Sequence, residues 1–90
     1  MNLAELYHLY SALVYNLALQ YTQNKQDAEE VTQDVFIQVN EKMAGFRNES
    51  EIKTWIYRIC INKSLDFLRA KKAIKRWSIL SARSIDDTKG

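Results

Sequence analysis

Proline is absent from the 90 residues, glycine occurs only at positions 45 and 90, cysteine only at 60 and histidine only at 8. With so little glycine, neither a phosphate-cradling loop nor a nucleophile elbow can be built. A single cysteine excludes an internal disulfide and a thiolate cluster for zinc, and it fits a reducing compartment with the Cys60 thiol in the core. A single histidine leaves Glu5-x-x-His8 as the sole metal-like spacing, whereas a carboxylate-bridged di-iron bundle needs two such pairs and further inward carboxylates. His8 therefore reads as a partly exposed helix residue, and no metal or other cofactor is expected. The adjacent acids Glu29 and Glu30, like Asp86 and Asp87, point apart on a helix and cannot share a proton as a catalytic dyad. These absences together exclude most enzyme classes, and the chain is expected not to be an enzyme. No apolar run approaches the roughly 18 residues of a membrane span, and the N-terminus lacks the basic start of a secretory signal. The chain is expected in the cytoplasm, with no membrane partner.

What is present is an ordinary globular composition, 47% apolar and 27% charged. A chain this short buries about 60 to 65 per cent of its unfolded surface, enough for one modest core and one domain. The net charge of +2 conceals a strong segregation. Residues 27–51 hold seven acids against two bases, a net −5, and residues 53–76 hold eight bases against Asp66 alone, a net +7.

Apolar residues at Leu3, Leu6, Tyr7, Tyr10, Leu13, Val14, Leu17, Ala18 and Tyr21 keep helical spacing and predict a first helix over residues 3–22. Asn2 followed by Glu5 resembles a capping box. A polar connection over residues 22–26 leads to a second helix that should begin near Asp27 as its N-cap, with Ala28, Val31, Val35, Val39 and Met43 as its apolar stripe. Gly45 is expected to end it in a left-handed conformation. Ser50 can cap a third helix, whose face carries Ile52, Trp55, Ile56, Ile59, Cys60 and Phe67, widened by Leu65 and Leu68, and which is expected to end near Trp77. The expected fold is all-α, a three-helix bundle with a long and basic third helix. Residues 1–77 form the domain, and residues 78–90 read as a linker or frayed tail.

The third helix interleaves Lys53, Arg58, Lys63, Arg69, Lys71, Lys72, Lys75 and Arg76 with Trp55, Tyr57 and Trp77. Cations track phosphates and aromatics stack on unstacked bases, a mixture that suits opened DNA better than closed duplex. The same residues also fit a core aromatic pair with lysines that merely solvate a helix end. Asn62 can read a base edge or serve as a satisfied structural amide. The second helix presents Glu29, Glu30, Gln33, Asp34 and Glu41, which either solvate the surface or meet a basic protein partner.

Three spaced motifs resemble region 2 of the extracytoplasmic-function sigma factors of the sigma-70 family. They are Asp27-Ala28-Glu29-Glu30-Val31-x-Gln33-Asp34-Val35-Phe36, then Phe46-Arg47, then Thr54-Trp55-Ile56-Tyr57-Arg58-Ile59-x-x-Asn62-x-x-x-Asp66-x-x-Arg69. The resemblance spans about residues 5–76. It implies that the acidic helix binds the β′ clamp helices of core RNA polymerase through Glu30, Gln33 and Asp34, with Phe36 supporting the helix. It further implies that the third helix and the loop before it take the non-template strand of the minus-ten promoter element, with Phe46, Arg47, Asn48, Lys53, Trp55, Arg58, Asn62, Arg69 and Lys72 as DNA-binding candidates. Asp66 and Arg69 match the motif and either touch DNA or brace the helix. An anti-sigma factor covering these faces is a partner by resemblance only. The family's second domain, a helix-turn-helix reader (region 4), has no counterpart after Arg76, so the chain is expected to be an excised domain or a truncated relative with weak affinity for DNA on its own. The alternative is a generic three-helix module that binds protein or nucleic acid without promoter specificity.

Overall fold

The structure, a computed structural model, describes residues 2–46 and 51–89, with side chains described as far as Ala82. The described residues are helical and contain no strand, as the hydrophobic periodicity requires: α1 (Leu3–Thr22), α2 (Lys25–Lys42) and α3 (Ile52–Lys89), with a short 3-10 turn at Met43–Gly45. Asn2 caps α1 as expected, its side-chain oxygen accepting from the Glu5 N–H at 2.9 Å. The helix closes on Gln23, which adopts a left-handed φ of 53° and donates its N–H to the Leu19 carbonyl at 2.8 Å. Gln23 is the only described non-glycine residue at positive φ, a conformation that is unfavourable for a side chain bearing Cβ.

Three boundaries differ from the sequence expectation. The second helix begins at Lys25, because Asn24 accepts from the Asp27 N–H at 2.9 Å and so supplies the capping chemistry assigned to Asp27. Asp27 instead lies in the first turn, where the helix dipole favours its charge. Gly45 is not left-handed. The end of α2 tightens into the 3-10 turn, and Phe46 donates to the Met43 carbonyl at 3.0 Å, which satisfies terminal acceptors without a left-handed residue. Third, α3 does not stop near Trp77 but continues to Lys89. Extending an existing helix carries no nucleation cost, and neither proline nor glycine interrupts residues 78–89. The expected Ser50 cap lies outside the described residues.

The core is built from Leu6, Val14 and Ala18 of α1, Ala28, Val31, Val35, Phe36 and Val39 of α2, and Ile52, Ile56, Ile59 and Cys60 of α3. Each fully buried branched side chain contributes about 1.5–3 kcal/mol. The buried Thr32 satisfies its hydroxyl on the Ala28 carbonyl at 2.7 Å. Cys60 donates from Sγ to the Val14 carbonyl at 3.5 Å, joining α3 to α1, and burial pushes its pKa up. The expected stripe on α1 is wider than the face that is covered. Leu13 is exposed, and Tyr7 is 53% exposed while its ring packs edge-on against Phe36 at a centroid distance of 4.9 Å. Farther along α3, Lys71 Nζ meets Asp27 Oδ2 at 2.8 Å, fastening it to the first turn of α2.

Candidate nucleic-acid interface and acidic docking face

Helical geometry sorts the polar residues of α3. At about 100° per residue, Thr54, Arg58, Asn62, Arg69, Lys72 and Arg76 share an arc of roughly 80°, and all six are exposed. This outer stripe faces away from the arc of Ile52, Ile56, Ile59 and Cys60 that enters the core. Asn62 is thus exposed on this stripe and is not part of the core.

The stripe ends in an aromatic platform. Phe46 and Trp55 stack with centroids 4.7 Å apart and planes inclined by 18°. Both pack against the core while remaining partly exposed. With Glu51, Thr54 and Arg58 they line an open depression of ≈ 450 Å³, within the size range of small-ligand sites. One face of Trp55 is therefore already covered by Phe46, and the pair presents a fixed aromatic surface beside the Arg58 guanidinium.

Not every predicted residue joins this surface. Lys53 lies about 140° around the helix from Arg58, its ammonium 5.8 Å from the Tyr57 ring centroid. Lys63 faces α2, where it shares a depression with Asp34, Ile37, Gln38, Glu41 and Lys42, and Lys71 pairs with Asp27. The basic residues read along the sequence thus divide between an outer stripe and a side that meets the acidic helix. Arg69 reaches Asp66 at 3.4 Å, both side chains largely exposed, a contact worth little and easily surrendered. Arg47 and Asn48 lie outside the described residues.

On α2, Glu30, Gln33 and Asp34 are exposed. Phe36, only 5% exposed, lies in the core with its ring edge-on to Tyr7, where it can support the helix. Ile37, which motif and stripe both leave out, is 57% exposed. It falls about 200° out of phase with Val35, and that phase is the signal in the sequence that could have found it. Among the described residues no group of His, Cys, Asp and Glu could hold a metal ion, and no helix is long and apolar enough to cross a membrane.

The family profile described as Sigma-70 region 2 matches residues 6–74. RNA polymerase sigma factor SigV of Bacillus subtilis (strain 168) is 34% identical over 61 residues, covering 68% of this chain and 37% of the relative. ECF RNA polymerase sigma factor SigW of the same organism is 30% identical over 69 residues, covering 77% of this chain and 37% of the relative. A probable RNA polymerase sigma factor of Haemophilus influenzae is 41% identical over 44 residues, covering 49% of this chain and 23% of the relative. The chain thus spans about a third of the length of the curated relatives it matches. No solved structure matches it.

Proposed function

The chain belongs to the sigma-70 region 2 family, and on that premise we propose that it serves bacterial transcription initiation as part of an alternative sigma factor. In this reading α2 binds the β′ clamp helices of core RNA polymerase, and the outer stripe of α3 recognises and helps to melt the minus-ten promoter element. The supporting observation is the segregation of an exposed acidic face on α2 and an exposed basic stripe with an aromatic end on α3, both carried by one three-helix core.

The chemistry follows from that placement. Arg58, Arg69, Lys72 and Arg76 can follow the phosphates of a single strand. If all four do so, log affinity falls with log salt with a slope of about 3. The Phe46 and Trp55 pair offers a face to an unstacked base, an interaction worth roughly 1–3 kcal/mol. That gain offsets the few kcal/mol needed to extrude the base, with Asn62 placed on the same stripe to read its edge. The protein selects an opened state, and no bond changes.

The test compares single strands bearing the matched and a scrambled minus-ten sequence, bound to the chain assembled on core polymerase. The matched strand should bind more tightly, and Asn62→Ala should erase most of the difference while leaving the fold intact. Equal binding of both strands would leave only a nucleic-acid module without promoter specificity.

A further inference from the structure

We infer that Ile37 is the apolar anchor of the α2 docking face, seated in a depression that α2 and α3 build together, and that it receives an apolar side chain from a basic helix of core polymerase. The inference rests on the polymerase-binding reading of α2. Glu30, Asp34, Ile37 and Glu41 fall at positions i, i+4, i+7 and i+11, within an arc of roughly 60°. Ile37 thus interrupts a line of carboxylates with the one branched aliphatic on that arc, and it is 57% exposed. Helix formation does not require it there, because α2 buries its core face through Ala28, Val31, Val35 and Val39 without it.

The surroundings give this residue a shape to work with. Asp34, Gln38, Glu41 and Lys42 of α2 and Lys63 of α3 surround it in a depression of ≈ 440 Å³. The lining carries both signs, Asp34 and Glu41 against Lys42 and Lys63, and Glu30 stands one turn before Asp34 on the same arc. A partner helix that places an apolar side chain on Ile37 therefore meets carboxylates on both sides of that seat along α2, Glu30 and Asp34 before it and Glu41 after it, and sets its cations toward them. Charge alone attracts a basic partner over a broad face and accelerates encounter. An apolar seat within a line of carboxylates also sets register, and exclusion of water at such a seat concentrates binding energy there.

Affinity for core RNA polymerase, measured for the wild type and for Ile37→Ala, Ile37→Leu and Ile37→Glu, tests the inference. Ile37→Ala should weaken binding roughly ten- to fiftyfold, and Ile37→Leu should stay within about threefold, with thermal stability unchanged for both because the side chain is exposed. Ile37→Glu separates the two ways of docking. It adds charge of the attracting sign, so binding by charge alone predicts equal or tighter association, whereas an apolar seat predicts a loss like that of Ile37→Ala. Equal or tighter binding by Ile37→Glu, or unaltered binding by Ile37→Ala, overturns the inference. A Glu30→Lys, Asp34→Lys double variant measured alongside separates the levels. If it loses polymerase while the Ile37 variants do not, the α2 reading stands without the anchor, and if it binds like the wild type, the α2 reading itself fails.

Discussion

Residues 52–67 and residues 68–82 belong to one uninterrupted helix, and they live in different environments. Ile74 lies five turns beyond Ile56, and Trp77 five turns beyond Ile59, so each later residue repeats the angular position of an earlier one. Ile56 and Ile59 are buried, whereas Ile74 and Trp77 are 68% and 71% exposed. The difference lies in what stands opposite. α1 with 20 residues and α2 with 18 span about 30 and 27 Å, whereas the 38 residues of α3 span about 57 Å. The extents of 62 × 24 × 17 Å describe a short bundle with a protruding rod. An apolar arc is therefore a capacity for burial, and the length of the neighbours decides where it is used.

The largest effect that tests this comparison is truncation within the covered half. Ile56→Ala should lower stability by about 2–5 kcal/mol in chemical denaturation, because it opens a cavity among α1, α2 and α3. Matching losses for Ile56→Ala and Ile74→Ala would erase the distinction between the two halves. Next comes the buried thiol. Burial raises the Cys60 pKa in the folded state, so the native protein holds that proton at pH values where the unfolded chain releases it. Its contribution is complete below the unfolded thiol pKa of about 9 and declines above it, with a slope of at most about 1.4 kcal/mol per pH unit. Denaturation followed through this alkaline range should show the decline in the wild type and its absence in Cys60→Ala.

Smaller still is the tie at the junction of the two halves. Lys71 is largely exposed, so its pairing with Asp27 is screened, and Lys71→Ala should cost about 0.2–1 kcal/mol, less at high salt. The smallest change belongs to the rod. Ile74→Ala and Trp77→Ala should each alter stability by less than about 0.5 kcal/mol. Iodide should quench Trp77 emission fully and Trp55, held against Phe46, only in part, as a Trp77→Phe variant would resolve.

Much of this arrangement is legible in the order of the residues. The Asn2 cap and the bounds of α1 follow from residue type and spacing, as do the buried valines of α2 and the core isoleucines of α3. The boundaries that differ have local physical causes. Asn24 and Asp27 offer similar cap chemistry three residues apart, and the earlier one prevails because the chain turns at a left-handed Gln23. The end of α3 outruns its periodicity because an uncovered helix needs no amphipathic pattern. In the candidate surfaces, Arg58, Asn62, Arg69 and Lys72 do share an outward stripe. Lys63 and Lys71 stand apart from it, although they belong to the same basic run, because net charge along a sequence carries no angular information. Ile37 escapes a search for repeating stripes because it stands alone on a charged face, and only its phase against the buried valines marks it.

By itself the sequence determined which segments become helices, which arc of each is apolar, and that acids and bases are segregated along the chain. Those outcomes depend on backbone propensity and on side chains three and four residues apart, distances over which a helix is its own template. Only the tertiary structure decided which part of each arc is buried, which cations turn toward the acidic helix, and that Phe46 lies flat against Trp55. These depend on contacts between distant residues, set by the relative lengths and phases of three helices packed on one core.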